Sequence, residues 1–412
     1  MLKRLFLCWL LLSTAQLGAS TINLMVPIVP GHRDIYQQLI ADFTRETGIQ
    51  VSLKVKNSED YKRDFPLLLQ ASPGFDVLLW NAGQRLFSFV DQGFLAPVTD
   101  VWQQQGLEKS MGHVSDNVSY GKHIYAIPRS YYPWGIYYRK SLLERFGGPP
   151  NNWQQFLAVC AALKLNGIIP IGIGRKFHWP VDAWFDYLNL RINGLDFHLQ
   201  VTQGKIDFHH QKLQTVFQYW SDIISLGYFH PDAVNMSSFD LLPLLYRKKI
   251  GFFLMGSFAN GMLPKNRPTL IEDIGFMAFP KINDIGVFEE APIDVYVIPM
   301  NAPHPVEAKK FLAFISSREA QKKYPQMFGQ LPINREVVIK SSTLIEDGLS
   351  ILANAEGVSQ YFDRDAKVEF AKPANLLFNQ FMTTNNVEQL TEQLEKLRKT
   401  IFGLSESSIK QY

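Results

Sequence analysis

Short apolar runs alternate with helix-period stretches along most of the chain. Thr21–Ile28 (TINLMVPI) is an apolar run of strand length, broken by Pro30-Gly31. Beyond it Ile35, Leu39 and Phe43 fall at i, i+4 and i+8 with charges opposite, which predicts a helix with one buried face. Gly48 closes that helix, because glycine takes the left-handed conformation of a helix end without strain. Ile49, Val51, Leu53 and Val55 then alternate with polar residues, as in a half-buried strand. Strand, helix and strand in so short a span make a βαβ unit, and such units build parallel sheets. The alternation continues with a helix over 59–70, a buried strand over 75–80 (FDVLLW) and a helix over 84–92. Residues 141–166 read as helical, interrupted at Gly147-Gly148-Pro149-Pro150, with Asn152 as the cap of the second part. Strands follow over 168–173, 250–255, 276–280 and 295–299, and helices over 211–226 and 239–248. Pro305 opens a helix on which Ala308, Phe311, Leu312 and Ile315 share a face, and 344–358 and 387–401 complete the helical set.

One stretch departs from this rhythm. Residues 123–140 (HIYAIPRSYYPWGIYYRK) hold two β-rich runs, 124–127 and 136–138, around a segment flanked by Pro128 and Pro133. Two prolines fix φ twice and remove two backbone donors, so this segment is not the centre of a sheet. Stiff and extended, it suits a crossing between two lobes. Arg129, Tyr131, Tyr132 and Trp134 on it suit a ligand wall, since flat rings stack on apolar ligand faces while polar tips stay wet. The same rings would also serve as core cover at a sheet edge. Trp80 and Asn81 lie at the carboxyl end of a predicted strand, where open α/β sheets place ligands. His178, Trp179, Asp182 and Trp184 cluster where a strand passes into a helix.

Length and composition add a frame. The chain has 412 residues, 46% hydrophobic and 19% charged, which is too long for one core and predicts two lobes. A net charge of +3 with no long basic block argues against nucleic-acid binding. The first 19 residues have the composition of a cleaved secretory signal: Lys3 and Arg4, an apolar run too short to span a bilayer, then Gly18, Ala19 and Ser20. Its removal takes Cys8 and leaves Cys160 alone, so no internal disulfide is expected. An exported chain of this size without disulfides fits a bacterial periplasm. Zinc-protease, paired-cysteine, GxSxG and P-loop motifs are absent. Gly172-Ile173-Gly174 has Phe177 where a dinucleotide site needs glycine, and His209-His210 has no ligand partner at useful spacing. No cofactor or metal is implied. Asp76, Asp182, Asp186 and Asp294 admit two readings: an acid–base pair of a glycosidase, or acceptors for sugar hydroxyls.

The order of several segments resembles the family 1 extracellular solute-binding proteins, the maltose-binding-protein-like receptors of ABC importers. DFTRETGIQVSLKV resembles that family's first helix and second strand, and FDVLLWN with FVDQGFLAPVTD its next strand and turn. HIYAIPRSYYPWGIYYRKSLLERFG, NNWQQFLAVCAALKLNGIIPIGIG, YRKKIGFFLMGSFANG and HPVEAKKFLAFISSREAQKKYPQMFGQLPINREV resemble further segments in the same order. Two positions depart: the first strand runs into Pro27-Ile28-Val29-Pro30 without an aromatic, and Phe258 stands where a tryptophan is common.

The resemblance implies an α/β fold of the type II periplasmic binding proteins, two lobes that are each a mostly parallel sheet flanked by helices, joined by crossing strands. Residues 20–128 with 292–335 would form the first lobe, and 129–291 with 336–412 the second. It implies a monomeric periplasmic receptor that closes on a mono- or oligosaccharide and delivers it to inner-membrane permease subunits. Trp80, Tyr131, Tyr132, Trp134, Trp179, Phe258 and Tyr296 would supply rings, and Asn81, Arg129, His178, Asp182 and Asp294 hydrogen bonds. Trp80→Ala and Trp134→Ala are expected to weaken binding with the fold intact. An exported carbohydrate-active enzyme and a receptor for a non-sugar solute such as a polyamine remain alternatives.

Overall fold

The computed structural model describes residues 20–28, 31–339 and 342–403, so the expected signal segment lies outside the described residues. The strands, in chain order, are β1 (Thr21–Ile28), β2 (Gln50–Asn57), β3 (Val77–Asn81), β4 (Ser119–Tyr120), β5 (His123–Ile124), β6 (Ile127–Tyr131), β7 (Trp134–Arg139), β8 (Ile169–Gly172), β9 (Ile250–Gly256), β10 (Ile274–Met277), β11 (Phe288–Glu290), β12 (Ile293–Val297) and β13 (Gly357–Ser359). Two larger sheets carry the fold. The first has the order β2-β1-β3-β12-β6 and the second β10-β7-β9-β8.

The first lobe begins with the predicted βαβ unit. Helix Arg33–Thr47 buries Ile35, Tyr36, Leu39 and Phe43, and ends at Gly48, whose φ of 75° lets its N–H reach the Thr44 carbonyl. β1 pairs in parallel with β2 and β3. Phe43 packs edge-on against Phe311 and Phe314 of helix Pro305–Ser316, so the late helix closes the early core. This core runs from Ile22 to Ile127 and again from Ile293 to Ile333. The second core runs from Tyr132 to Phe279 and again from Leu344 to Leu394. Its aromatic density is high: Phe156, Trp184, Phe185, Phe217, Trp220 and Phe378 are all fully buried.

The sheets are mixed, which corrects the expectation of mostly parallel ones. β12 runs antiparallel to both β3 and β6, and β7 antiparallel to both β9 and β10. The reason is the crossings: a strand that arrives from the other lobe enters without a helical crossover and need not run parallel. β6 remains in the first sheet through Tyr131, and Tyr132 packs in the second core. There the crossing segments bond to one another: the Tyr132 N–H donates to the Pro292 carbonyl (3.2 Å), and Tyr131 and Leu331 exchange backbone bonds of 3.1 and 2.9 Å. The 17-residue helix Val368–Thr384 has no counterpart in the sequence reading; Pro373 interrupts its pattern, and Asn375 and Asn379 lie on its buried face. No helix of the described residues is long and apolar enough to cross a membrane.

Candidate functional site

A cleft of about 1070 Å³, its open mouth included, lies where the two sheets face each other. The first lobe lines it from the carboxyl ends of β1 and β3, where Pro27, Trp80 and Asn81 sit, and from helix Ser58–Leu69 through Glu59 and Lys62. The second lobe lines it with Trp179, Phe258 and the segment carrying Tyr361, Asp363 and Arg364.

Asp294 is the polar hub. It stands on β12 opposite Asn81, at an irregularity in the pairing with β6, and such a bulge re-aims a side chain. Its carboxylate accepts from Asn81 Nδ2 (3.2 Å), the Tyr132 hydroxyl (3.4 Å) and Gln330 Nε2 (3.3 Å). Arg364 stands 3.7 Å away and donates to the Tyr132 hydroxyl and the Ile293 carbonyl. A second ion pair spans the lobes: Arg85 donates to the Asp363 carboxylate (2.5 Å) and to its carbonyl (3.0 Å). Arg129 extends from β6, donates to the Tyr36 hydroxyl and Gln330 Oε1 at 3.1 Å each, and lies 3.9 Å over the Phe328 ring. Burial, with Arg129 and Lys265 nearby, lowers His32 to about 3, so its ring is neutral.

The rings differ in availability. Trp134 is 2% exposed, stacks on Tyr361 at 4.8 Å and meets Trp179 edge-on at 6.0 Å. Trp80 is covered on one face by Phe65 at 3.6 Å and donates its indole N–H to the Arg85 carbonyl. Trp179 and Phe258 are only partly buried, and Lys62 from the opposite lobe lies 5.2 Å over the Trp179 ring.

Residues 30–322 match the family described as bacterial extracellular solute-binding protein. The chain belongs to that family. An uncharacterized ABC transporter extracellular-binding protein of Pyrococcus horikoshii is 26% identical over 274 residues; they make up 66% of this chain and 60% of that relative, so less than two thirds of the relative's length is spanned. Among solved structures, the bacterial solute receptor AcbH, described with an exclusive preference for β-D-galactopyranose, is similar with a TM-score of 0.87 at 24% identity, covering 93% of this chain and 100% of its own. A chitin oligosaccharide binding protein gives 0.82 at 16%, with 92% and 98% covered, and maltose-bound MalE3 of T. maritima gives 0.78 at 18%, with 93% and 100% covered. These likenesses show the two-lobed fold.

In this solute-binding protein, eight of the twelve residues expected from the sequence line the cleft: Trp80, Asn81, Arg129, Tyr132, Trp134, Trp179, Phe258 and Asp294. The other four lie off its lining. Tyr131 packs against the first core and pairs its backbone with Leu331. His178 has its ring beside Asn379 of helix Val368–Thr384. Asp182 is fully buried in the second lobe, where burial raises its pKa well above the usual range. Tyr296 is fully buried in the first core. The sequence reading missed Lys62, Arg85, Gln330, Tyr361, Asp363 and Arg364. Gln330 was within reach, since it sits in the GQLPINREV part of a family-like segment. The segment with Tyr361, Asp363 and Arg364 has no strand or helix period that would mark it.

Proposed function

We propose that this solute-binding protein captures a carbohydrate between its lobes and hands it to an inner-membrane ABC importer, working in the periplasm after loss of its signal segment. The cleft itself carries this reading: a hydrogen-bonding hub at Asp294 faces partly exposed rings on the other lobe, as a ligand with hydroxyl edges and an apolar face requires. Binding of this kind needs closure and no covalent step. The sugar-binding neighbours support the same substrate class, and the family supports the transport role. A glycosidase pair of Asp182 and Asp294 finds no support, because Asp182 does not reach the cleft. A polyamine is disfavoured because Lys62, Arg85, Arg129 and Arg364 outnumber Glu59, Asp294 and Asp363 in the lining.

Thermal shifts of the mature protein against sugars, polyols, polyamines and amino acids test the reading. A ligand specific to the folded state adds about 2.7 kcal/mol at a hundredfold excess over Kd. A shift with one sugar, recovered unchanged, is the expected result. A consumed sugar would point to an enzyme, and a shift confined to polyamines or amino acids would overturn the substrate class.

A further inference from the structure

We infer that the solute carries a carboxylate, as a hexuronate alone or within a short oligosaccharide, and that Arg129 receives it. The inference rests on the carbohydrate reading above and deepens it. Three of the four cations in the cleft lining meet a carboxylate: Arg85 with Asp363 at 2.5 Å, Lys62 with Glu59 at 3.5 Å and Arg364 with Asp294 at 3.7 Å. Among the described residues Arg129 has no carboxylate within ion-pair distance. It is 5% exposed, gives two hydrogen bonds of 3.1 Å to neutral oxygens, and leaves Nε without a partner. A buried guanidinium without a counter-ion is costly, and a ligand anion is the natural remedy.

The immediate partners of Arg129 are uncharged, and Asp294, a carboxylate whose field reaches it, lies beyond ion-pair distance. Tyr36 and Gln330 are neutral partners, Phe328 offers its ring face, and the neighbouring His32 is uncharged with its Nε2 unpartnered. Lys265 adds positive charge beyond His32. Asp294 is bridged to Arg129 by Gln330 and is already served by Asn81, Tyr132 and Arg364. A neutral sugar hydroxyl could fill the hydrogen bonds of this corner but would leave its charge unmatched. A carboxylate matches both, and charge-assisted bonds are roughly twice as strong as neutral ones.

Isothermal titration of the mature protein decides the matter, with D-galacturonate against D-galactose and D-glucuronate against D-glucose, each offered also as its disaccharide. At least one uronate is expected to bind about tenfold or more tighter than its neutral counterpart. In Arg129→Gln that ratio should fall to within about threefold, while Arg129→Lys, which keeps the charge but loses the planar fork, should retain part of it. If the glutamine variant does not fold, the ratio in the unaltered protein decides alone. A neutral sugar that binds as tightly as its uronate overturns the inference and leaves the carbohydrate reading standing. Silence from all of them also overturns it, and the wider solute panel then judges the carbohydrate reading separately.

Discussion

Two tryptophans that look alike in the sequence have different surroundings. Trp179 is partly open and faces Lys62 across the cleft, whereas Trp134 is 2% exposed and held between Tyr361, Trp179 and Phe258. Trp179→Ala should therefore weaken sugar binding by about tenfold or more, since an anchoring ring at a binding site carries about 2 kcal/mol or more. Its melting temperature should change little. Trp134→Ala should lose binding too, but mainly because the second core loses about 3–5 kcal/mol, visible as a large drop in the urea midpoint. Trp80→Ala belongs with Trp134, given its stack on Phe65. Calorimetry and urea unfolding on the three variants separate the two classes; an equal loss of stability in all three would refute the distinction. Ring type and strand-end position made these residues legible as a group. Which ring is free was not legible, because it depends on what the opposite lobe and the loops lay over each face.

The segment from Ser359 to Asp365 shows the same limit for an element. It delivers Tyr361, Asp363 and Arg364 to the cleft, yet its own sequence has no period, because buried carboxylates, one on a distant helix and one of its own, hold its backbone. Asp186, on helix Asp182–Asn193, accepts the Phe362 N–H at 2.8 Å, and Asp365 accepts the Gln360 N–H at 2.9 Å. Asp182, Asp186 and Glu290 are fully buried. Near Asp186 the one histidine, His198 at 3.6 Å, is held neutral by burial, which lowers it to about 3. Burial raises Asp186 to about 7, and raises Asp182 and Glu290 in the same direction, Glu290 helped by the nearby Asp186 carboxylate. These acids keep protons in the folded state that the unfolded chain releases near pH 4, so stability falls as pH rises from about 4 to about 7. His32, His113 and His198, which burial lowers to about 3 to 4, act oppositely between those values and about pH 6.5, and Asp42, lowered to about 2 by Lys323 and Tyr324, does so below about pH 4. Because those histidines oppose the acids, the acids are read by difference: between pH 5 and pH 8 urea unfolding should show the unaltered protein losing roughly 1 kcal/mol or more relative to Asp186→Asn. A pH dependence unchanged in the variant would show that Asp186 titrates normally.

For the whole molecule, the periodicity of strands and helices was enough to predict an α/β fold, because each element buries one face at its own period, while the two lobes followed from chain length and from the family resemblance. The strand directions across the crossings were not legible, since the pairing of β12 with β3 joins residues some two hundred positions apart. Nor was the fit between the lobes. Beside the cleft, the lobes touch at Gly261 of the second and Phe328-Gly329 of the first. A Cβ on Gly261 would lie 2.9 Å from His32 Nε2 and 3.1 Å from the Phe328 carbonyl, and one on Gly329 would lie 2.7 Å from the Gly261 nitrogen. Gly329 also needs its φ of 72°, so its substitution would add local strain, whereas Gly261 has no such requirement and reports the contact alone. A receptor that closes on its ligand gains affinity only to the extent that the closed state is reachable, and an obstacle to closure lowers apparent affinity by the lost population. Gly261→Ala should therefore weaken solute binding about fivefold or more, and, because the contact is made without ligand too, it should also lower the melting temperature slightly. Small-angle scattering should show a smaller contraction on ligand addition than in the unaltered protein. Full affinity with full contraction would mean that the lobes close without this contact, and that the hub around Asp294 alone determines how tightly the solute is held.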